Sequence, residues 1–233
     1  MDLTLAAEQS GQTLSTSIAS TLRAAISNGE LEPGRKLRLD DLRATFGVSL
    51  SPLREALSRL SAEGFVVMED QRGYRVAPIS EHNLVEVTKL RAMVETFALG
   101  EAIAKGDDKW ESEVVASLYR LNKLERADAP SDQGAWEAAH RDLHYRLISA
   151  CGMPLLLSFS ATLHDLNDRY RRLFLRSRPF DRIVRREHTD MSNAALERNA
   201  QLACEIMRTH IERTGSNIRK ALLRTEPAAK QVD

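Results

Sequence analysis

The chain has 233 residues, with 33 basic and 33 acidic side chains and a formal net charge of zero. Apolar residues make up 42% and charged residues 28%, the balance of a soluble globular protein long enough for one large domain or two small ones. The zero net charge gives no overall electrostatic reason to bind nucleic acid, so any basic surface has to arise locally. No stretch approaches the roughly 18 consecutive apolar residues of a membrane span. Met1 to Ser10 carry acids and no long apolar run, unlike a signal or transit peptide, so a cytoplasmic location is expected. Cys151 and Cys204 lie in apolar, helical contexts and read as reduced thiols.

In chain order, Ile18, Leu22 and Ile26 recur at helical spacing from Leu14 to Asn28. Gly29 stops that helix and Pro33-Gly34 forms a turn. Asp40 or Asp41 is expected to cap a second short helix that carries Leu42 and Phe46. Gly47 supplies a tight turn, because it tolerates positive φ. A third helix follows, capped by Ser49 or Ser51, with Pro52 in its first turn and Leu53, Ala56, Leu57 and Leu60 on its apolar face. Gly64 ends it. Phe65 to Met68 and Tyr74 to Val76 read as a two-stranded hairpin around Gln71, Arg72 and Gly73.

The chain changes character near Pro78, and the boundary is expected between Ala77 and Asn83. Two domains are predicted, 1–78 and 79–233. Beyond the boundary there is no convincing strand, only six long amphipathic segments: Glu81 to Lys105, Trp110 to Ala127, Gly134 to Cys151, Pro154 to Arg176, Phe180 to Arg198 and Asn199 to Leu223. Gly106, Pro130, Gly152 and Pro179 punctuate most gaps, and Ser131 or Asp132 can cap the third segment. The expected fold class is mainly α: a winged helix-turn-helix followed by an all-α antiparallel bundle.

Helix, glycine turn, helix and hairpin is the pattern that lays its second helix in the DNA major groove. Burial of the apolar face leaves Leu50, Ser51, Arg54, Ser58 and Ser61 outward. Arg54 is the best candidate for a base contact, Arg72 beside Gly73 for the minor groove or a phosphate, and Arg38, Arg43 and Ser49 for phosphates. On spacing alone, a small interaction domain fits the same elements. The runs Gly29-Glu30-Leu31-Glu32-Pro33-Gly34-Arg35-Lys36-Leu37 and Phe46-Gly47-Val48-Ser49-Leu50-Ser51-Pro52-Leu53-Arg54-Glu55-Ala56-Leu57, with Glu63-Gly64 and Gly73-Tyr74-Arg75-Val76, resemble the DNA-binding domain of the GntR family. The resemblance implies a homodimer on an inverted-repeat operator in double-stranded DNA, with Arg54 at the DNA. Leu50 departs from the arginine common there, and can meet a thymine methyl instead.

In the second part, His140 and His144 lie four apart on one helix face with Leu147 and Cys151. His188 falls in line with Val184, Met191 and Ala195, and His210 with Leu202 and Ile206. Each points inward, either as a hydrogen-bonded core residue or as a ligand of zinc or a similar divalent metal, nickel and manganese included. The pair His140 and His144 has the spacing of a metalloprotease motif, but Arg141 stands where the catalytic glutamate belongs, and no pairing of nucleophile and base is visible. Arg91 shares a stripe with Val87, Val94 and Ala98, so it either pairs with an acid such as Glu95 or receives a carboxylate ligand. Tyr170 sits on the apolar stripe of Leu163, Leu166 and Leu173, and Arg171 beside it either lines a cavity or is solvated.

Leu90-Arg91, the run from His140 to Leu155, Arg186-Glu187-His188 and His210-Ile211 resemble the FCD effector domain of the FadR-type branch of the GntR family. That resemblance implies a divalent metal held by His144, His188 and His210, with His140 in the place of an acidic ligand, and a carboxylate effector beside it. Leu50-Ser51-Pro52-Leu53, Gly73-Tyr74-Arg75-Val76-Ala77, Asp108-Lys109-Trp110-Glu111, His140 and Arg169-Tyr170-Arg171 look closer to the glutarate-responsive repressors of that branch. The function expected is a repressor released by a small carboxylate, glutarate-like in preference, bound among the histidines, Arg91, Tyr170 and Arg171, with residues 78–83 transmitting the change. Two other classes fit less well: a metal-dependent hydrolase with a DNA-binding head, and a DNA-binding dimer without an effector.

Overall fold

Residues 13–70, 72–125, 133–175 and 182–225 are described by a computed structural model of the chain. The chain divides into two units. The first holds residues up to Glu81 together with 168–174, and the second holds 82–167 and the residues from Leu175 on.

In the first unit, α1 (Leu14–Ser27) starts at Thr13, whose hydroxyl accepts from the Thr16 amide. It buries Ile18, Leu22 and Ile26, as their spacing requires. Helix α2 (Leu39–Phe46) ends at Gly47 with φ 65°, a left-handed conformation that suits glycine. It begins two residues earlier than a cap at Asp40, and three earlier than a cap at Asp41, would place it. Arg38 is the cap residue and gives no side-chain hydrogen bond, while Asp40 and Asp41 sit in the first turn, where their charge meets the positive helix end. Helix α3 (Leu50–Ala62) follows from Ser49 and buries Leu53, Ala56, Leu57 and Leu60 completely.

The hairpin of β2 (Val66–Glu69) and β3 (Gly73–Val76) is antiparallel, with Val66 opposite Val76 and Glu69 opposite Gly73. A third strand, β1 (Lys36–Leu37), pairs with β3 and makes the order β1-β3-β2. The expected two-stranded sheet is therefore corrected to three strands, since two residues are too few to show an alternating pattern. Residues 168–174 are the last turns of α7 (Pro154–Leu175). There the Tyr170 hydroxyl donates to the Ser80 carbonyl (3.1 Å) and accepts from its amide (3.3 Å).

The second unit is all helical among the described residues: α4 (Glu81–Lys105), α5 (Asp108–Glu125), α6 (Gln133–Ile148) with a 3-10 turn at Ser149–Cys151, the body of α7, α8 (Arg182–Leu196) and α9 (Ala200–Thr225). Its core runs through Leu99, Trp110, Val114, Leu121, Leu143, Leu147, Met191 and Met207. The break between α8 and α9 carries neither glycine nor proline. Arg198 takes φ 60° there, and its guanidinium is held by the Ile103 carbonyl and the Glu111 carboxylate. The expected caps Ser131 and Asp132, the markers Pro130 and Pro179, and Gln71 lie outside the described residues. No described helix is long and apolar enough to cross a membrane.

Leu121 is fully buried in this core. Leu121→Ala should cost about 2–5 kcal/mol through lost burial and the cavity left behind. Urea unfolding followed by circular dichroism measures it, and an unchanged midpoint would show that Leu121 does not hold the bundle together.

Candidate metal centre and nucleic-acid interface

The four inward histidines converge. His140 and His144 come from α6, His188 from α8 and His210 from α9, and all are buried. Ring centroids lie 4.6 Å apart for His140 and His144, 5.0 Å for His140 and His188, and 4.7 Å for His188 and His210. One nitrogen from each ring lies within 4.8 Å of one from every other. Trp136 stacks on His140 at 4.9 Å and closes one side.

Carboxylates behind the rings set which nitrogen faces inward. His210 Nδ1 is 2.8 Å from a Glu187 oxygen, and Glu187 also accepts from Arg213. His144 Nδ1 is 3.3 Å from Glu95 Oε2. A carboxylate only accepts, so both rings carry their proton on Nδ1 and turn an Nε2 lone pair to the cluster. His144 Nε2 is buried and has no hydrogen-bond partner among the described residues. A buried polar atom left in that state wants a ligand, and imidazoles backed by carboxylates are the usual arrangement behind a protein-bound metal. The residues present thus fit a divalent ion, which His140, His144, His188 and His210 could coordinate.

Glu95 is the central support. Arg91 Nε donates to its Oε1 at 2.7 Å and Nη2 to its Oε2 at 3.2 Å, all of it buried. Burial works against the charged carboxylate. The Arg91 charge, the hydrogen bond from His144 and the nearby His164 ring nevertheless hold its pKa well below the usual range. Glu125 is the contrasting case. Burial pushes its carboxyl up, and the Trp136 indole hydrogen bond at 3.1 Å opposes this only in part. It lies 3.9 Å from His188 Nδ1.

Glu95, His144 and His164 form a second close group. His164 Nδ1 is 3.2 Å from Arg91 Nη2. A guanidinium can only donate, so that nitrogen accepts and the His164 proton sits on Nε2. His164 therefore offers the group a donor, not a metal-binding lone pair. Sequence patterning missed this residue, although it is a histidine of the second part next to the apolar stripe of α7. Arg91 takes the pairing with Glu95 that the sequence left open. Tyr170 and Arg171 belong to the first unit, where Arg171 Nη2 is 2.9 Å from Asp168.

In the first unit, Ser49, Ser51 and Arg54 are exposed around the start of α3, and Leu50 and Ser61 are half-buried. Arg38, Arg43, Arg72 and Gly73 are exposed as well. The Arg38, Arg43 and Arg54 side chains make no hydrogen bond or ion pair with other described residues. Glu55 is held by Ser15 at 2.7 Å and by Arg59 rather than by Arg54.

Comparison with known proteins accounts for both units. Residues 14–76 match the model of the gntR family of bacterial regulatory proteins, and residues 86–213 match the FCD domain. Over 195 residues the chain is 36% identical to the HTH-type transcriptional repressor GlaR of Escherichia coli K12, which covers 82% of this chain and 89% of that one. It is 38% identical over 203 residues to the HTH-type transcriptional regulator BphR of Paraburkholderia xenovorans, covering 85% and 82%. In fold it is similar to E. coli McbR/YncC, with a TM-score of 0.74 at 17% identity over 90% of this chain and 98% of that one. A putative GntR regulator from Rhodococcus sp. RHA1 gives 0.72 at 22%, covering 89% and 98%.

Burial pushes the His210 pKa from 6.5 down to about 4, against the pull of the Glu187 hydrogen bond. The unfolded chain then takes up this proton first, so stability is lost as pH falls from about 6.5 toward about 4. His210 alone accounts for a loss of about 3 kcal/mol across that window. Urea unfolding of metal-stripped protein between pH 7 and pH 4 should show the decline. A flat profile would mean that His210 is not buried in neutral form.

The matched family is one of bacterial regulatory proteins, and the relatives at 36% and 38% identity are transcription regulators, which weighs against the hydrolase reading. The chain belongs to the GntR family of bacterial regulatory proteins and carries an FCD domain behind its DNA-binding unit.

Proposed function

We propose that the chain is a cytoplasmic, homodimeric repressor that releases an inverted-repeat operator when a small carboxylate binds beside a divalent metal in the FCD domain. The observation that carries the reading is the buried cluster of four imidazoles, two of them oriented by carboxylates. An all-imidazole donor set favours zinc or nickel over manganese, which prefers carboxylate and water oxygens. The name of GlaR as a repressor supports the sign of regulation. A five-carbon dicarboxylate of the glutarate kind is the favoured effector, on the residues that resemble glutarate-responsive repressors. The ligand acts only to the extent that it binds the two arrangements of the dimer differently. Residues 78–83 are the segment proposed to pass the change to the DNA-binding unit.

Arg54 is the proposed base-reading residue, with Ser49, Leu50 and Ser51 beside it and Arg38, Arg43, Arg72 and Gly73 against the backbone. Arg54→Ala should cost about 1–3 kcal/mol of discrimination at one position of each half-site and leave nonspecific binding nearly intact. Selection from a random duplex library, followed by binding titration at fixed salt, measures this. An unchanged base preference would remove Arg54 from that role.

Effector class is tested by thermal shift with dicarboxylates, keto acids and hydroxy acids, with added Zn²⁺ and with chelator. An acid at about 100 times its Kd should add about 2.7 kcal/mol to the stability of the native state. The gain should shrink when the metal is removed. If no acid moves the melt under either condition, the sensor reading fails.

A further inference from the structure

Helix α7 is shared by the two units: its body carries His164 in the second, and its last turns, residues 168–174, belong to the first. Tyr170 follows His164 on the same helix, about 9 Å further along the axis. The last turns hold the rest of the first unit at two places. Tyr170 fixes both the amide and the carbonyl of Ser80, and the Arg169 guanidinium donates to the Ala77 carbonyl, so the segment that leaves β3 is gripped by α7. Arg172 donates to the side chain of Asn28 at the C-terminal cap of α1, and a Cβ added to the neighbouring Gly29 would come within 3.0 Å of Leu173.

Arg169 sets a cost against this docking. It is only 2% exposed, its Nε has no hydrogen-bond partner, and no carboxylate among the described residues pairs with it. Asp168, the acid next to it on α7, is held by Arg171 at 2.9 Å. Burial lowers the Arg169 pKa, as it does for any cation withdrawn from water without an opposite charge beside it. Such a charge, answered only by a carbonyl dipole, costs more to bury than a neutral donor in the same place. Release of the helix end returns the guanidinium to water and removes that cost. The contacts of Tyr170, Arg172 and Leu173 thus favour docking, and the charge of Arg169 opposes it. Two states brought close in free energy by opposing contributions are what a ligand of modest differential affinity can shift.

We propose that the end of α7 is a latch on the DNA-binding unit, closed by Tyr170 and Arg172 and kept reversible by the unpaired buried charge of Arg169. Its use in operator release rests on the reading of the chain as a transcription regulator, whereas the docking equilibrium does not.

Hydrogen–deuterium exchange of the full chain, followed by mass spectrometry over residues 24–31 and 166–175, reads the latch, because protection falls as the open fraction rises. Tyr170→Phe removes only the hydroxyl and should speed exchange in both segments about tenfold. Arg172→Gln should act in the same direction. Arg169→Gln keeps a donor for the Ala77 carbonyl but removes the charge, and should slow exchange about tenfold. Faster exchange in Arg169→Gln, or a melting temperature below that of wild type, would overturn the proposal, since the cation would then be a net hold. Unchanged exchange in all three variants would overturn it as well. Affinity for a duplex selected from a random library should move in opposite directions in Arg169→Gln and Tyr170→Phe. Unchanged affinities beside the expected exchange would overturn the role of the latch in operator binding. A wild-type chain that selects no duplex would overturn the regulator reading instead, and the latch would be decided by exchange alone.

Discussion

A carboxylate taken out of water loses several kcal/mol of solvation, and it stays ionised only where donors replace the water on nearly every lone pair. Glu95 meets that condition through Arg91 on one side and His144 on the other. Much of the second unit is organised by this one group. Because Glu95 accepts from His144 Nδ1, the opposite nitrogen is turned to the cluster. Because Arg91 is fixed on Glu95, its remaining reach toward His164 fixes that ring in the opposite tautomer. One buried ion pair therefore leaves one histidine with a lone pair facing the cluster and its neighbour with a donor. The pair adds little to stability by itself, since desolvation cancels most of the Coulombic gain. Its value is orientation.

The same physics separates the other acids around the cluster. Glu187 also has an arginine, Arg213, and stays low despite burial, whereas Glu125 lacks so close a cation and is pushed up. In the crowded interior of the cluster, burial drives His210 toward its neutral form. The place that the FCD resemblance gives to an acidic ligand is filled by His140. A divalent ion held by four neutral rings would keep both of its charges, while Glu95 and Glu187 are already balanced by Arg91 and Arg213. An anionic ligand is what such a site would attract. The substitution of His140 therefore strengthens the case for an acid effector instead of weakening it.

Local periodicity made most of this architecture readable. The bounds of α4 and the inward aim of His140, His144, His188 and His210 follow from which residues recur every three or four positions. The core-facing Tyr170 followed the same rule. What could not be read were partners far apart in the chain. Glu95 lies 49 residues from His144, and Arg91 lies 73 from His164, so no local pattern links them. The carboxylate behind His210 sits directly before His188, in a run noticed only for its resemblance. Strand β1 escaped because its two residues gain their conformation from β3 and not from their own pattern. The helix break at Arg198 escaped because tertiary contacts, not a glycine, hold the left-handed turn.

The zero net charge, which argued against nucleic acid at the outset, is resolved by how the arginines of the first unit are distributed. Arg23 is tied to Glu63, Arg59 to Glu55 and Arg75 to Glu69. The first fastens α1 to the end of α3, the second lies within α3 and the third braces the hairpin, and a phosphate would have to compete with an existing partner for each of them. Arg38, Arg43 and Arg54 have no such internal partner and stand exposed at the start of α2, near its end and on the first turns of α3. Their guanidinium groups are not taken up by an ion pair with another described residue, even though the chain as a whole is neutral. Binding to a polyanion releases counterions only where a cation is not already neutralised by its own protein. What matters for a duplex is therefore how many arginines remain unpaired on the face that carries α3, and on that measure the unit is basic where the family's DNA-binding helix begins.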